Sequence, residues 1–207
     1  MEKLFKGIVR FRQQDFEDHK HLFKKLGRGQ TPHTLFIGCV DSRVVPNMIT
    51  ASEPGELFTV RNIANIVPPY RKTEEYVSTT SAIEYAVQVL GVESIVVCGH
   101  SNCGGCAALH AEPADLEHIP HVARWLEVSA EVKDRVAKQM KGDSPEEREW
   151  LTEQINIVVQ MRNLLTFPYI REKYEKGQIK LYGLYYIIET GEVFNYNEET
   201  LLFELIS

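Results

Sequence analysis

The stretch Val96-Val97-Cys98-Gly99-His100-Ser101-Asn102-Cys103-Gly104-Gly105-Cys106 limits what this chain can become more than any other. An apolar run ends in a glycine, a histidine and a cysteine three places on, and then two glycines. Such a pattern predicts a buried strand that runs into a turn opening a helix. Neutral imidazole and thiolate are both good zinc ligands, and His-x-x-Cys places two of them within reach of one ion. A site needs more than two, so the other ligands must come from elsewhere in the fold.

A second short apolar run, Thr34-Leu35-Phe36-Ile37-Gly38-Cys39, reads as another buried strand. It ends in Cys39-Val40-Asp41-Ser42-Arg43, which puts a thiol, a carboxylate and a guanidinium at its mouth. Leu57 to Arg61 reads as a strand, Glu74 to Leu90 as a helix stopped by Gly91, and Gly104 to Ala111 as a short helix. Helical patterns follow over Ile119–Met140, Pro145–Thr166 (with Ser144 as N-cap) and Pro168–Lys176. Ile179–Ile188 is β-prone, Thr190-Gly191 reads as a turn, and Val193–Tyr196 pairs back as a hairpin. The alternation predicts an α/β fold: a mostly parallel central sheet of about four strands plus an edge strand, with helices on both faces. Ligands of such sheets gather beyond the carboxyl ends of the strands. If the strands ending in Cys39 and His100 are neighbours, Cys39, His100 and Cys103 form a three-ligand site. Asp41 then competes for a fourth place, and Arg43 competes for Asp41.

Local spacing also permits a zinc knuckle of Cys98, His100, Cys103 and Cys106, or a Cys103-x-x-Cys106 redox pair. Neither explains the Cys-x-Asp-x-Arg cluster. Before these strands, Leu4, Ile8, Phe11, Phe16, Leu22, Phe23 and Leu26 recur at helical spacing. They predict one or two amphipathic helices, packed on the chain's own core or laid over a partner subunit.

With 207 residues the chain suits one full core, and we expect a single domain over 1–207, an arm over 1–29 and an α/β core over 30–207. A net charge of −6 with no basic stripe argues against a nucleic-acid partner. No apolar run approaches the ~20 residues that span a bilayer, so no membrane partner is expected. The first residues lack a secretory apolar region, and clustered cysteines suit reducing conditions. The expected location is cytoplasmic.

The two spaced motifs, together with Glu53–Phe58, Arg61–Tyr70 and Ala82–Ala86, resemble the β-class carbonic anhydrases from about Gln30 to the C-terminal strands. The resemblance implies one zinc per chain on Cys39, His100 and Cys103, with Asp41 and Arg43 as the catalytic dyad and Asp41 as a fourth ligand in a closed state. It implies reversible hydration of carbon dioxide to bicarbonate and a proton through zinc-bound hydroxide. It also implies a plant-like substrate pocket of Gln30, Phe58, Ile63, Tyr85 and the Gly104 N–H. That pocket lies at a homodimer interface, with dimers paired into tetramers and the N-terminal helices embracing the partner. A carbon disulfide or carbonyl sulfide hydrolase on the same scaffold, and a non-catalytic zinc-stabilised binding module, are the alternatives. The other main branch of the family has a regulatory bicarbonate site with a tryptophan three residues before the first cysteine. Phe36 stands there, so no bicarbonate switch is expected even though Arg61 and Tyr186 match that site's other residues.

Overall fold

A computed structural model describes residues 1–71, 77–142 and 144–207. The chain forms two compact units, residues 1–31 and 32–207.

In the first unit, three short helices, α1 (Glu2–Gln13), α2 (Asp15–Asp18) and α3 (Lys20–Leu26), replace the expected one or two. Gln14 and His19 leave helical geometry and break the run. Phe11, Phe16 and Phe23 close on one another, with ring centroids 5.3 to 6.3 Å apart. The α1 side chains Leu4, Phe5, Ile8 and Val9 stay exposed.

Among the described residues, the second unit is built on a six-stranded sheet of order β2-β1-β3-β4-β5-β6. Its strands are β1 (Thr34–Cys39), β2 (Leu57–Asn62), β3 (Ser94–His100), β4 (Lys180–Tyr186), β5 (Val193–Asn197) and β6 (Leu202–Leu205). The first four are parallel, and β5 and β6 are antiparallel additions. β6 goes beyond the expected single edge strand. The left-handed Leu201 turns the chain so that Leu202–Leu205 pairs with β5.

The helices are α4 (Pro46–Ile49), α5 (Val77–Glu84), α6 (Gly104–Ala108), α7 (Pro113–Leu116), α8 (Pro120–Leu126), α9 (Ala130–Gln139), α10 (Pro145–Leu164) and α11 (Pro168–Glu175). The expected start of a helix at Glu74 lies outside the described residues. From Tyr85 to Leu90 that helix is wound as a π-helix, ended by Gly91 at φ +67°, where only glycine sits without strain. The helical pattern over 119–140 resolves into α8 and α9, because Ser129 leaves helical geometry between them. Ser144 caps α10 as expected, its Oγ accepting from the Glu147 N–H.

Alternation along β1 and β3 sorts the core. Leu35, Ile37, Ile95 and Val97 pack with Ile83, Val87, Ile157 and Leu164 in the main cluster. Phe36, Val96 and Cys98 form a separate cluster with Leu57, Tyr182 and Leu184. β1 and β3 are adjacent and in register, Gly38 opposite Cys98, so the ends carrying Cys39 and His100 emerge side by side.

Candidate metal centre and active site

Cys39 closes β1, His100 closes β3, and Cys103 precedes α6. Their ligand atoms lie within 4.8 Å of one another, and all three residues are buried. The His100 Nδ1 faces the Ser101 carbonyl at 2.9 Å. Nδ1 therefore donates to that carbonyl, which in the neutral ring leaves the Nε2 lone pair free. That Nε2 is buried and has no hydrogen-bond partner among the described residues. The thiols of Cys39 and Cys103 are each pushed up to about 12, Cys39 chiefly by its hydrogen bond with Cys103 and Cys103 by its bond with Cys106, burial adding to both. A cation at this point would replace those protons, because a coordinated thiol is deprotonated outright. Two sulfurs and one imidazole nitrogen, preformed and buried, fit a zinc ion with one position left over. Cys98 and Cys106 are buried free thiols that are not part of this cluster.

Asp41 Oδ2 lies 4.0 Å from His100 Nε2. Arg43 forks onto the carboxylate, Nε to Oδ1 at 2.9 Å and Nη2 to Oδ2 at 2.7 Å, and its backbone N–H adds a third bond to Oδ1. This guanidinium holds the Asp41 carboxyl well below the usual carboxylate range. Arg61, on β2, donates to the carbonyls of Cys39 and Asp41 at 2.9 and 2.7 Å. Its guanidinium thus staples the turn that presents the dyad.

The expected substrate residues divide. Ile63 follows β2 and packs beside the Cys39–Cys103 cluster. Gly104 opens α6, where first-turn N–H groups lack intrahelical acceptors. Phe58 and Tyr85 stack with centroids 6.0 Å apart, and Tyr85, the first residue of the π-helical stretch, is 45% exposed. Phe58 pairs with Leu35, four strand positions before Cys39, or about 13 Å at ~3.3 Å per residue. The stacked pair therefore stands away from the metal cluster of its own chain. Gln30 belongs to the first unit.

Residues that sequence reading missed hold the site in place. Ala64 and Asn65 both adopt left-handed backbone, at φ +59° and +45°. Helix α10 secures this loop with buried amides. Asn156 donates to the Ala64 carbonyl, Gln160 accepts from the Val67 N–H, and Asn163 donates to the Val67 carbonyl. Trp125 donates to the Ile63 carbonyl at 3.0 Å. A Cβ on Gly105 would stand 2.9 Å from Ile63 and 3.1 Å from the Ala64 backbone, so α6 can approach the loop only through glycine. Glu153, 2% exposed, accepts from the Cys103 N–H at 2.8 Å and from the Tyr185 hydroxyl at 2.7 Å. Burial pushes its carboxyl up to about 7. Asn102, left-handed at φ +56°, accepts from Arg43 through Oδ1 at 3.2 Å and through its carbonyl at 2.9 Å, and its Nδ2 donates to Glu149. The available signal was a polar stripe, Glu149, Glu153, Asn156, Gln160 and Asn163, repeating at helical spacing among apolar neighbours.

The family model for carbonic anhydrase matches residues 34–193. A carbonic anhydrase of Helicobacter pylori strain J99 is 40% identical over 98% of this chain and 93% of its own length. One from Pseudomonas aeruginosa is 42% identical over 93% of this chain and 86% of its own. The solved structure of the β-carbonic anhydrase CcaA superposes with a TM-score of 0.95 at 37% identity, covering 100% of this chain and 92% of that one. One of two tetrameric β-carbonic anhydrases from Sordaria macrospora gives 0.81 at 31% identity over 94% of this chain and 95% of that one. With a cysteine and a histidine at two strand ends, a second cysteine before α6, and relatives matched along nearly its whole length, the chain belongs to the β-carbonic anhydrases, a family of enzymes.

Proposed function

We propose that this chain catalyses the zinc-dependent, reversible hydration of carbon dioxide to bicarbonate and a proton. Cys39, His100 and Cys103 would hold one zinc per chain. The ion would supply the Lewis acidity that makes water nucleophilic near neutral pH. The observation that carries the reading is the Asp41–Arg43 clasp beside the bare His100 Nε2. A zinc that only stabilised the fold would need neither residue. Asp41, kept ionised by Arg43, accepts a hydrogen bond from the attacking water and turns its lone pair toward the substrate carbon. Held on Arg43, the same carboxylate would stay off a bound ion; released, it would be free to act as a further ligand.

Ile63 walls the site with apolar surface suited to a neutral, linear substrate. The Gly104 N–H donates to the substrate oxygen as negative charge builds there. Gln30, Phe58 and Tyr85 complete the slot across a homodimer interface, each serving the site of the other copy. The distance of the Phe58–Tyr85 stack from its own Cys39 supports this division. So do the exposed apolar side chains of α1, which suit a single domain over 1–207 in which an arm over residues 1–29 grips a second copy and 30–207 forms the α/β core. The tetrameric Sordaria macrospora structures support pairing of dimers. Four unpaired thiols suit the reducing cytoplasm. No described helix is long and apolar enough to cross a membrane.

The test is stopped-flow hydration of carbon dioxide together with metal analysis. The expected result is one zinc per chain and turnover that disappears on chelation and returns with zinc. A fully zinc-loaded protein without hydration activity would refute the reading.

A further inference from the structure

We propose that Asn102, braced by Glu149, is the positioning residue that keeps Arg43 turned onto Asp41. The inference rests on the hydration reading above and adds to it the part that decides which carboxylate Arg43 serves.

The Arg43 side chain is 42% exposed, and an ion pair at such a surface is held weakly by charge alone. Arg43 also borders a cavity of about 460 Å³ lined by the carboxylate residues Glu146, Glu149, Glu153 and Glu189. A long cation beside several carboxylates has more than one place to go, and turning toward the cavity would leave Asp41 free. Asn102 stands between Arg43 and Glu149, accepting from the first at 3.2 Å and donating to the second at 3.2 Å. The orientation of its amide follows from chemistry: a guanidinium can only donate and a carboxylate can only accept. One neutral amide therefore answers both charges and keeps them apart. The Asn102 carbonyl adds a second acceptor for Arg43 at 2.9 Å.

The backbone is shaped for this task. Asn102 is left-handed at φ +56°, a region in which asparagine is tolerated better than most residues. An aspartate would offer Arg43 a rival carboxylate and repel Glu149. Glycine would keep the backbone and the carbonyl contact but lose the amide. Glu149 and Glu153 lie four residues apart on α10, one bonded to the Asn102 amide and the other to the Cys103 N–H. The same face of one helix thus grips the arginine clamp and the adjoining ligand.

The test uses the zinc-loaded protein and the variants Asn102→Gly, Asn102→Asp, Glu149→Ala and Glu149→Gln. Three quantities are read: zinc content, kcat and KM for hydration, and the rate at which phenylglyoxal modifies Arg43, followed by peptide mass spectrometry. Asn102→Gly is expected to keep its zinc, to label several-fold faster at Arg43, and to lose roughly tenfold in kcat with little change in KM, the scale of one charge-assisted hydrogen bond. Asn102→Asp should lose more. Glu149→Ala should follow Asn102→Gly in direction, and Glu149→Gln, which retains an acceptor, should restore most of both readouts. Wild-type labelling and turnover in Asn102→Gly would overturn the proposal. So would loss of zinc from that variant, which would make Asn102 a shaper of the ligand loop alone. If Asn102→Gly does not fold, Glu149→Ala decides, and unchanged Arg43 labelling there overturns the clamp. A zinc-loaded wild type that fails to hydrate carbon dioxide would end the functional reading, while the labelling series would still decide the clamp.

Discussion

Arg43 donates to both oxygens of Asp41 and a third time through its own backbone N–H, so the carboxylate cannot turn without breaking bonds to a cation. Arg43→Ala is expected to keep zinc and to lower kcat/KM about a hundredfold, on the scale of two charge-assisted hydrogen bonds. Arg43→Lys should recover only part, because a point charge cannot fork onto both oxygens. Near-normal kinetics in Arg43→Ala would remove the role assigned to the clasp. Among the thiols, Cys39→Ala should lose zinc, while Cys98→Ala and Cys106→Ala should retain it in metal analysis. The reverse pattern would restore the local zinc knuckle. His110 offers a test of pH dependence outside the site. Its Nε2 is bonded to the Thr152 hydroxyl at 2.8 Å, and burial together with Arg148 and Lys133 lowers its pKa. A folded pKa below the unfolded value of about 6.5 gives stability that is full above that value and is lost as pH falls through the folded one. His110→Gln should therefore show a smaller drop in urea midpoint between neutral and mildly acid pH than the wild type. An equal drop in both proteins would assign the acid sensitivity elsewhere.

Helix α10 is apolar where it packs on β3 and β4 and polar where it meets the Ala64–Val67 loop. Ile157 and Met161 fill the side facing the sheet, so closely that a Cβ on Gly99 would stand 2.8 Å from Ile157, and one on Gly183 would stand 2.6 Å from Met161. Asn156, Gln160 and Asn163 supply the partners that a neighbouring strand would give to the loop backbone. Gln160 also donates to Asn156 and to Ser129, so the network is satisfied on several sides. Gln160→Met, which has similar bulk and no acceptor amide, should leave the Val67 N–H unpaired and lower stability by about 1–3 kcal/mol in urea unfolding. The same change should displace Ile63 and so raise KM. A stability loss well below 1 kcal/mol would mean that solvent or local rearrangement replaces the bond.

The division of the expected pocket into two places has its consequence at the scale of the whole molecule. If the Phe58–Tyr85 stack of one copy serves the metal centre of another, two inactive variants should complement each other. Chains carrying Cys39→Ala keep the stack and lack the metal, while chains carrying Phe58→Ala and Tyr85→Ala keep the metal and lack the stack. Mixed by unfolding and refolding together, they should regain part of the turnover that each lacks, and the mixed species should sediment as a dimer or larger. No regain in a verified mixed oligomer would show that each copy completes its own site. Some of this was legible in residue order alone. The apolar runs ending in Cys39 and His100, the glycines after Cys103 and the Ser144-Pro145 helix start state their structures locally, because propensity and capping act over a few residues. The chemistry of a thiol, an imidazole and a carboxylate beside a guanidinium could likewise be read before any fold was known. That Cys39 and His100 share one end of the sheet depended on β1 pairing with β3 in parallel, which the alternation of elements suggests and the register establishes. Tertiary structure alone decided that Asn102 lies between Arg43 and Glu149, 47 residues away from the latter, and that the Val67 N–H finds Gln160 across 93 residues. It alone decided that Phe58 stacks on Tyr85 far from Cys39. The physical reason is range: helix and strand preferences are settled by neighbours in sequence, whereas a buried donor takes whichever acceptor close packing of distant segments brings within 3 Å.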